Sequence, residues 1–274
     1  MRVLVTGATG LLGTWLTRTS PESVDLVAAW HRRPVADGIV AVRADLLDAR
    51  EVRRMMASVR PDVVVHTAYA RDHDGVVGIT RHVATAAEAV GAHVVHLSSD
   101  ALFRGDGRCH HEDAVPEPIH DYGRAKAAAE ADVIRTTPSA AIVRSSLLVS
   151  TDPPGQNVAR VTAAAAEGEV VPWYRGERRQ PAWAHDVAAA VWRIALLPPD
   201  RGRGVWHLPG PERLTRAELG ARIAHGLAVA DPGVEVEPPP ADERPRDICM
   251  TDRRARRDIG WRPALVQWPA SLRS

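Results

Sequence analysis

The apolar positions in the first half of the chain fall in short contiguous runs. Residues 3–6, 25–30, 40–43, 63–67, 93–98 and 141–146 are rich in β-branched side chains and do not alternate with polar ones. Strands covered on both faces of a parallel sheet have this pattern. Between them, residues 11–19, 49–59, 80–90 and 122–135 are Ala-, Leu- and Arg-rich stretches of helical length. The repeated strand–helix–strand order predicts an α/β fold built on a doubly wound parallel sheet of the Rossmann type.

Beyond about residue 150 the alternation breaks down, Pro and Gly become frequent, and six of the eight tryptophans occur. A smaller C-terminal lobe is expected over 151–182 and 211–274, with 183–210 rejoining the domain formed by 1–150. Within this half, 205–208 is expected to be a strand, 215–226 a capped helix and 232–245 an extended loop.

Composition narrows the class of partner. With 274 residues, 45% hydrophobic, 25% charged and a formal charge of +1, the chain is an ordinary globular protein without a field for nucleic acid or an anionic membrane. No apolar run reaches the roughly 18 residues a membrane span needs. The chain reads into its first strand at Val3, so no export signal is expected. Cys109 and Cys249 lie far apart in sequence, which reads as no disulfide framework and favours a reducing compartment, so a cytoplasmic location is expected.

The first strand runs into Thr6-Gly7-Ala8-Thr9-Gly10-Leu11-Leu12-Gly13, which opens the first helix. Gly7, Gly10 and Gly13 allow a tight turn and close approach of backbone to a pyrophosphate, and the N–H groups at Thr9, Leu11 and Leu12 lie at a positive helix end. This identifies a dinucleotide site, with spacing Gly-x-x-Gly-x-x-Gly. Where an NAD-specific protein places a carboxylate for the ribose 2′-hydroxyl, this chain has His31-Arg32-Arg33. Two guanidiniums suit a 2′-phosphate, so NADP(H) is expected in preference to NAD(H). Asp45, followed by Leu46, is placed to contact the adenine.

Of the 35 basic residues only Lys126 is a lysine, and it follows Tyr122 by four residues on an expected helix. That spacing sets ammonium and phenol on one face, where the cation is expected to lower the phenol pKa towards a range useful for proton transfer to a carbonyl. Leu97, Ser98 and Ser99 end the fifth strand, at the edge of a sheet where ligands bind. Ser99, or less favourably its neighbour Ser98, can hold a carbonyl oxygen against Tyr122.

Together these residues resemble the extended short-chain dehydrogenases, and among them the dTDP-4-dehydrorhamnose reductase family. The likeness extends to Pro61-Asp62-Val63-Val64-Val65-His66-Thr67-Ala68, Ser98-Ser99-Asp100 with Phe103 and Gly105, and Val143-Arg144-Ser145-Ser146. Further on come Gln180-Pro181-Ala182-Trp183, Asp186-Val187-Ala188, Gly204-Val205-Trp206-His207-Leu208, Arg244-Pro245-Arg246-Asp247 and Gly260-Trp261-Arg262-Pro263. The resemblance implies that Ser99, Tyr122 and Lys126 form the catalytic set and that Thr67, Ala68, Tyr69 and Leu97 line the cofactor cleft. The chain departs from the family at Ala101, where a tyrosine is usual, at Leu147, where a tryptophan is common, and at Val76, near the place of a relay asparagine. A pocket without those rings implies a different substrate.

The expected partner is a small-molecule ketone, nucleotide-linked in the family, and a homodimer is the assembly allowed for. If the ligand is a nucleotide sugar, Arg244 and Arg246 are the expected phosphate contacts. Cys109-His110-His111-Glu112-Asp113 is read as a surface loop with no metal, because adjacent residues cannot converge on one ion. Arg253, Arg254, Arg256 and Arg257 alternate with acids as a solvated helical face. Rival readings are a catalytically silent NADP-binding regulatory subunit and a sugar-nucleotide epimerase or dehydratase.

Overall fold

In the computed structural model, which describes residues 1–70, 72–240 and 243–268, the contiguous apolar runs pair side by side in parallel. The order is β1 (Arg2–Thr6), α1 (Leu11–Arg18), β2 (Asp25–Trp30), β3 (Ala41–Arg43), α2 (Ala49–Val59) and β4 (Val63–His66). Then follow α3 (His73–Ala89), β5 (His93–Ser99), β6 (Asp106–His110), α4 (Asp121–Thr136) and β7 (Ala141–Ser145). A later strand, β12 (Gly204–Leu208), comes back to the free edge of β7. Strand order in the seven-stranded sheet is β12-β7-β5-β4-β1-β2-β3, with every pair parallel. The winding reverses between β1 and β4, which lie side by side, and their carboxyl ends open the crevice where an α/β sheet binds its ligand.

Successive residues of each strand point to opposite faces, so Val3 and Val5 pack under one layer and Leu4 under the other. Leu12 and Leu16 of α1 cover the first face, and Val52, Met55 and Met56 of α2 with Val83 and Ala87 of α3 cover the second. Helix α3 starts at His73 rather than at 80, because Asp72 caps it by accepting from Gly75 N at 2.6 Å.

The second half continues β8 (Leu148–Val149), α5 (Gln156–Glu167), β9 (Val171–Tyr174), β10 (Arg178–Arg179), β11 (Ala182–Trp183) and α6 (Ala184–Ala195). It ends with α7 (Pro199–Gly202), β12 (Gly204–Leu208), β13 (Leu214–Thr215), α8 (Arg216–Gly226), β14 (Gly233–Val236), β15 (Asp247–Met250) and α9 (Arg253–Ile259). Helices α5 and α6 were not foreseen; their Ala-rich segments are flanked by Pro and Gly that obscure the period. The loop expected at 232–245 contains a strand, β14, paired with β9, while 241–242 and 269–274 lie outside the described residues. A separate core of Val158, Val161, Trp173, Leu219 and Ile223 holds α5, β9 and α8 together. Val187 and Val191 of α6 with Ala255, Ile259 and Trp261 pack on the main sheet instead, so the last helix departs from the lobe expected over 211–274.

The cysteine expectation is overturned. β6 and β15 pair in parallel with Cys249 opposite Cys109, and the two sulfurs are bonded across a separation of 140 residues. Distance in sequence hid the pair because a four-stranded sheet, β13-β10-β15-β6, brings distant segments together. The cysteines therefore give no support to a reducing compartment. Among the described residues no helix is long and apolar enough to cross a membrane.

Candidate active site

The glycine turn leaves β1 at the reversal point. Gly7 has φ +72°, and a Cβ there would stand 2.6 Å from the Ala68 backbone, so β1 and the segment after β4 meet with no side chain between them. A Cβ at Gly13 would lie 2.1 Å from Gly7 O. Gly10 precedes α1 without any side-chain cap, and the first turn carries no acid, which leaves amide donors for an anion. A bare backbone cradle at a helix N-terminus fits a dinucleotide pyrophosphate. Thr67 reinforces the approach by donating from Oγ1 to Thr6 O at 2.8 Å.

Arg33 reaches back over this turn, its Nη2 donating to Thr9 O at 3.2 Å, and Arg32 is exposed beside it. His31 Nε2 lies 3.7 Å from Asp45 Oδ2, while Asp45 Oδ1 accepts from Leu47 N at 3.0 Å. Leu46 packs on the α2 side of the core and its carbonyl accepts from His82 Nδ1 at 3.0 Å.

Tyr122 and Lys126 lie on α4, and Ser99 ends β5. Ser99 Oγ accepts from Ala101 N at 3.2 Å and donates to Asp100 Oδ1 at 3.3 Å, and it lies near enough to the Tyr122 phenol to lower its pKa. Ser98 Oγ is buried without a partner, and of the two serines it is Ser99 that acts on the Tyr122 pKa. Tyr69, more than half exposed, holds its ring 6.0 Å from that of Tyr122. Lys126 is buried and its Nζ donates to Leu97 O at 2.6 Å.

The electrostatics of this group differ from expectation. Burial pushes the Tyr122 phenol up to about 12; the Ser99 hydroxyl opposes this, and Tyr69 and Asp100 add to it. Burial also pushes Lys126 down to about 8, opposed by Glu130. Desolvation dominates at both groups, and the lowered phenol pKa read from the Tyr–Lys spacing is not found.

Sequence reasoning named Arg244 but missed the buried polar cluster around it on the lobe side. Asp100 accepts from Ser146 Oγ at 2.6 Å and lies 4.0 Å from Arg179 Nε; burial raises its pKa. Glu177, also buried, pairs with Arg179 at 3.3 Å and with Arg244 at 2.9 Å. Arg216 donates to Asn157 Oδ1 at 2.9 Å, and burial pushes it down to about 10. Arg246, by contrast, is exposed and donates to Pro239 O at 3.3 Å. Glu177 and Arg179 sit on a turn and a two-residue strand that carry no periodicity, while Arg216 opens α8. The available signals were the Gln180-Pro181-Ala182-Trp183 stretch beside Arg179 and the Arg244-Pro245-Arg246-Asp247 stretch. The Cys109–Asp113 run is divided, since Cys109 and His110 belong to β6 and His110 stacks on Phe103 at 4.1 Å.

A parallel sheet with a glycine turn at its reversal point, and Ser99, Tyr122 and Lys126 beside it, defines a nicotinamide-dinucleotide enzyme of the short-chain dehydrogenase class. The model of the RmlD substrate binding domain family matches residues 1–272. The chain belongs to this family, the dTDP-4-dehydrorhamnose reductase type of extended short-chain dehydrogenase, and is an NAD(P)-dependent oxidoreductase.

Among its relatives is a dTDP-4-dehydrorhamnose reductase of Streptomyces griseus, 31% identical over 99% of this chain and 91% of the relative. The methionine adenosyltransferase 2 subunit beta of Rattus norvegicus is 29% identical over 81% of this chain and 71% of that one. Among solved structures, the fold matches a dTDP-4-dehydrorhamnose reductase from Bacillus anthracis in complex with NADP, with TM-score 0.76 and 22% identity over 92% of this chain and 90% of that one. It also matches a Thermus thermophilus UDP-glucose 4-epimerase complex with NAD, with TM-score 0.83 and 22% identity over 97% and 96% of the two chains.

Proposed function

We propose that the chain reduces a ketone on a 4-keto-6-deoxysugar nucleotide or a related natural-product intermediate, with NADPH as the preferred cofactor. The observation that carries this reading is the meeting of Ser99 with Tyr122 at the carboxyl end of β5, one helical turn from Lys126 and beside the glycine turn. When bound, the dinucleotide supplies hydride. Tyr122 donates the proton to the carbonyl oxygen, and Ser99 holds that oxygen as negative charge develops. Lys126 holds the ribose, and Gly7, Gly10 and Gly13 admit the pyrophosphate. Arg32 and Arg33 favour a 2′-phosphate, since neither position offers the carboxylate an NAD-specific site uses. Arg244, fixed by Glu177 with its guanidinium 4.8 Å over the Tyr174 ring, serves as an anion contact for the substrate.

The deciding assay follows NADPH oxidation with a panel of dTDP-linked 4-ketosugars and small ketones. Turnover with at least one, at a rate NADH does not match, is the expected result. Loss of NADPH signal with none of them would sink the reductase reading.

One observation favours a second reading, a dinucleotide-binding subunit of another enzyme. The rat relative bears a subunit's name at 29% identity, and this chain has Ala101 and Leu147 where the resemblance calls for rings. Such a protein would bind NADP(H) without turnover and co-purify with a second polypeptide.

A further inference from the structure

His120 stands two residues before Tyr122 and caps α4, its Nδ1 accepting from Gly123 N at 3.0 Å in extended backbone geometry. A ring nitrogen that accepts an N–H carries no proton, so the remaining proton is on Nε2. Burial keeps the ring neutral, and Arg179 and Arg244 across the cleft and Arg124 on α4 act in the same direction, against its own carbonyl. The ring packs closely on Gly123, where a Cβ would stand 2.8 Å from His120 Nδ1 and 2.3 Å from Ala101 O.

The ring lies edge-on to Tyr122 with centroids 6.1 Å apart. Nε2 is not among the buried polar atoms, and no described residue hydrogen-bonds to it. An oriented N–H donor is thus open beside the phenol. Ala101, whose carbonyl packs against Gly123, carries a methyl where the resemblance calls for a ring.

We propose that His120 is a specificity residue whose Nε2–H donates to a substrate oxygen on the carbon next to the carbonyl, so that the site selects α-hydroxyketones. This rests on the reductase reading for the identity of the carbonyl. No proton moves to or from His120 in the step. The same hydrogen bond forms in the bound ketone and in its alcohol, so its loss weakens binding more than it slows chemistry.

The test uses His120→Asn, because asparagine is among the best helix caps and its short amide cannot present a donor where Nε2 stands. The probes are a dTDP-linked 4-keto-6-deoxyhexose and its 3-deoxy analogue. The expected result is a rise in KM of about tenfold for the 3-hydroxy ketone with kcat nearly kept, no change for the 3-deoxy analogue, and an unchanged melting temperature. Equal effects on the two ketones, or none on either, would overturn the assignment. If the wild-type protein turns over neither, calorimetric titration of both ketones into the NADP-loaded protein replaces the assay. Selective weakening of the 3-hydroxy ketone in His120→Asn then upholds the contact while the reductase reading fails. Binding that is absent, or identical in both proteins, overturns the contact itself.

Discussion

Glu130 of α4 meets Arg144 of β7 at 2.8 Å, with side chains only 2% and 4% exposed. Glu130 is also one helical turn beyond Lys126, and its charge is what opposes the effect of burial on that ammonium. One carboxylate therefore ties the Tyr122–Lys126 helix to the sheet and supports the charge of its lysine.

Glu130→Gln should be far more damaging than its small change in size suggests. It leaves the Arg144 guanidinium buried without a counter-charge, at a cost of about 3–5 kcal/mol in urea denaturation. A Glu130→Met, Arg144→Met double variant should recover most of that loss. If the single variant unfolds at the wild-type midpoint, the pair has no structural weight.

Lys126 gives stability a pH dependence of definite sign. Its folded pKa of about 8 lies below the ordinary 10.5, so the fold disfavours the ammonium. The penalty is fully present below pH 8, shrinks as pH rises through 8 to 10.5, and vanishes above. The wild-type stability minus that of Lys126→Met should climb by about 3 kcal/mol between pH 7 and 11. Tyr122, raised to about 12, loses stability in the opposite sense above pH 10, but it is common to both proteins and cancels in the difference. A flat difference would remove the case for a desolvated lysine.

How much of this was legible follows from the range of the interactions. Residues 49–59 showed their helix because the capping Asp48 and the apolar stripe of Val52, Met55, Met56 and Val59 are local. Residues 25–30 showed their strand because both of its faces are buried. Ser99, Tyr122 and Lys126 were readable because four-residue spacing and a strand end place them. Their ionisation was not, since it depends on desolvation by residues from several elements. Glu177 and Arg179 escaped notice for a similar reason: β10 has only two residues, and pairing with β13 and β15 holds it in place. The Cys109–Cys249 bond lay beyond any local pattern.

Gly13→Ala should abolish cofactor binding by steric means. The added methyl would lie 2.1 Å from Gly7 O and 2.7 Å from Ala8 Cα, both backbone atoms that cannot yield without reshaping the turn. Dinucleotide affinity measured by calorimetry should fall below detection, with a loss of stability of about 1–3 kcal/mol from overpacking. Tight binding by this variant would show that the turn is not the cradle.

Arg33→Ala should separate the two cofactors. A charge-assisted bond to a 2′-phosphate contributes about 1.5–3 kcal/mol, so NADPH affinity should drop roughly 10- to 100-fold while NADH affinity stays within about twofold. Parallel losses for both would mean that Arg33 acts only through its bond to Thr9 O and supports the turn rather than reading the phosphate.

Reduction of the Cys109–Cys249 bond should weaken the fold as a whole. The bond closes a loop spanning 140 residues that includes α4, β7 and most of the second lobe, and it joins β6 to β15 in the sheet that carries Arg179. In the chain-entropy account, opening a loop of this length costs about 5 kcal/mol, because the unfolded chain regains the freedom the crosslink removed. A dithiol reductant should raise the titratable thiols of the denatured protein from none to two and lower the urea midpoint, and Cys109→Ser should reproduce the lower midpoint without reductant. Because the effect originates in the unfolded chain, the folded protein should keep its dinucleotide affinity at low urea after reduction. Two thiols in the untreated protein would show that the strands pair without the bond.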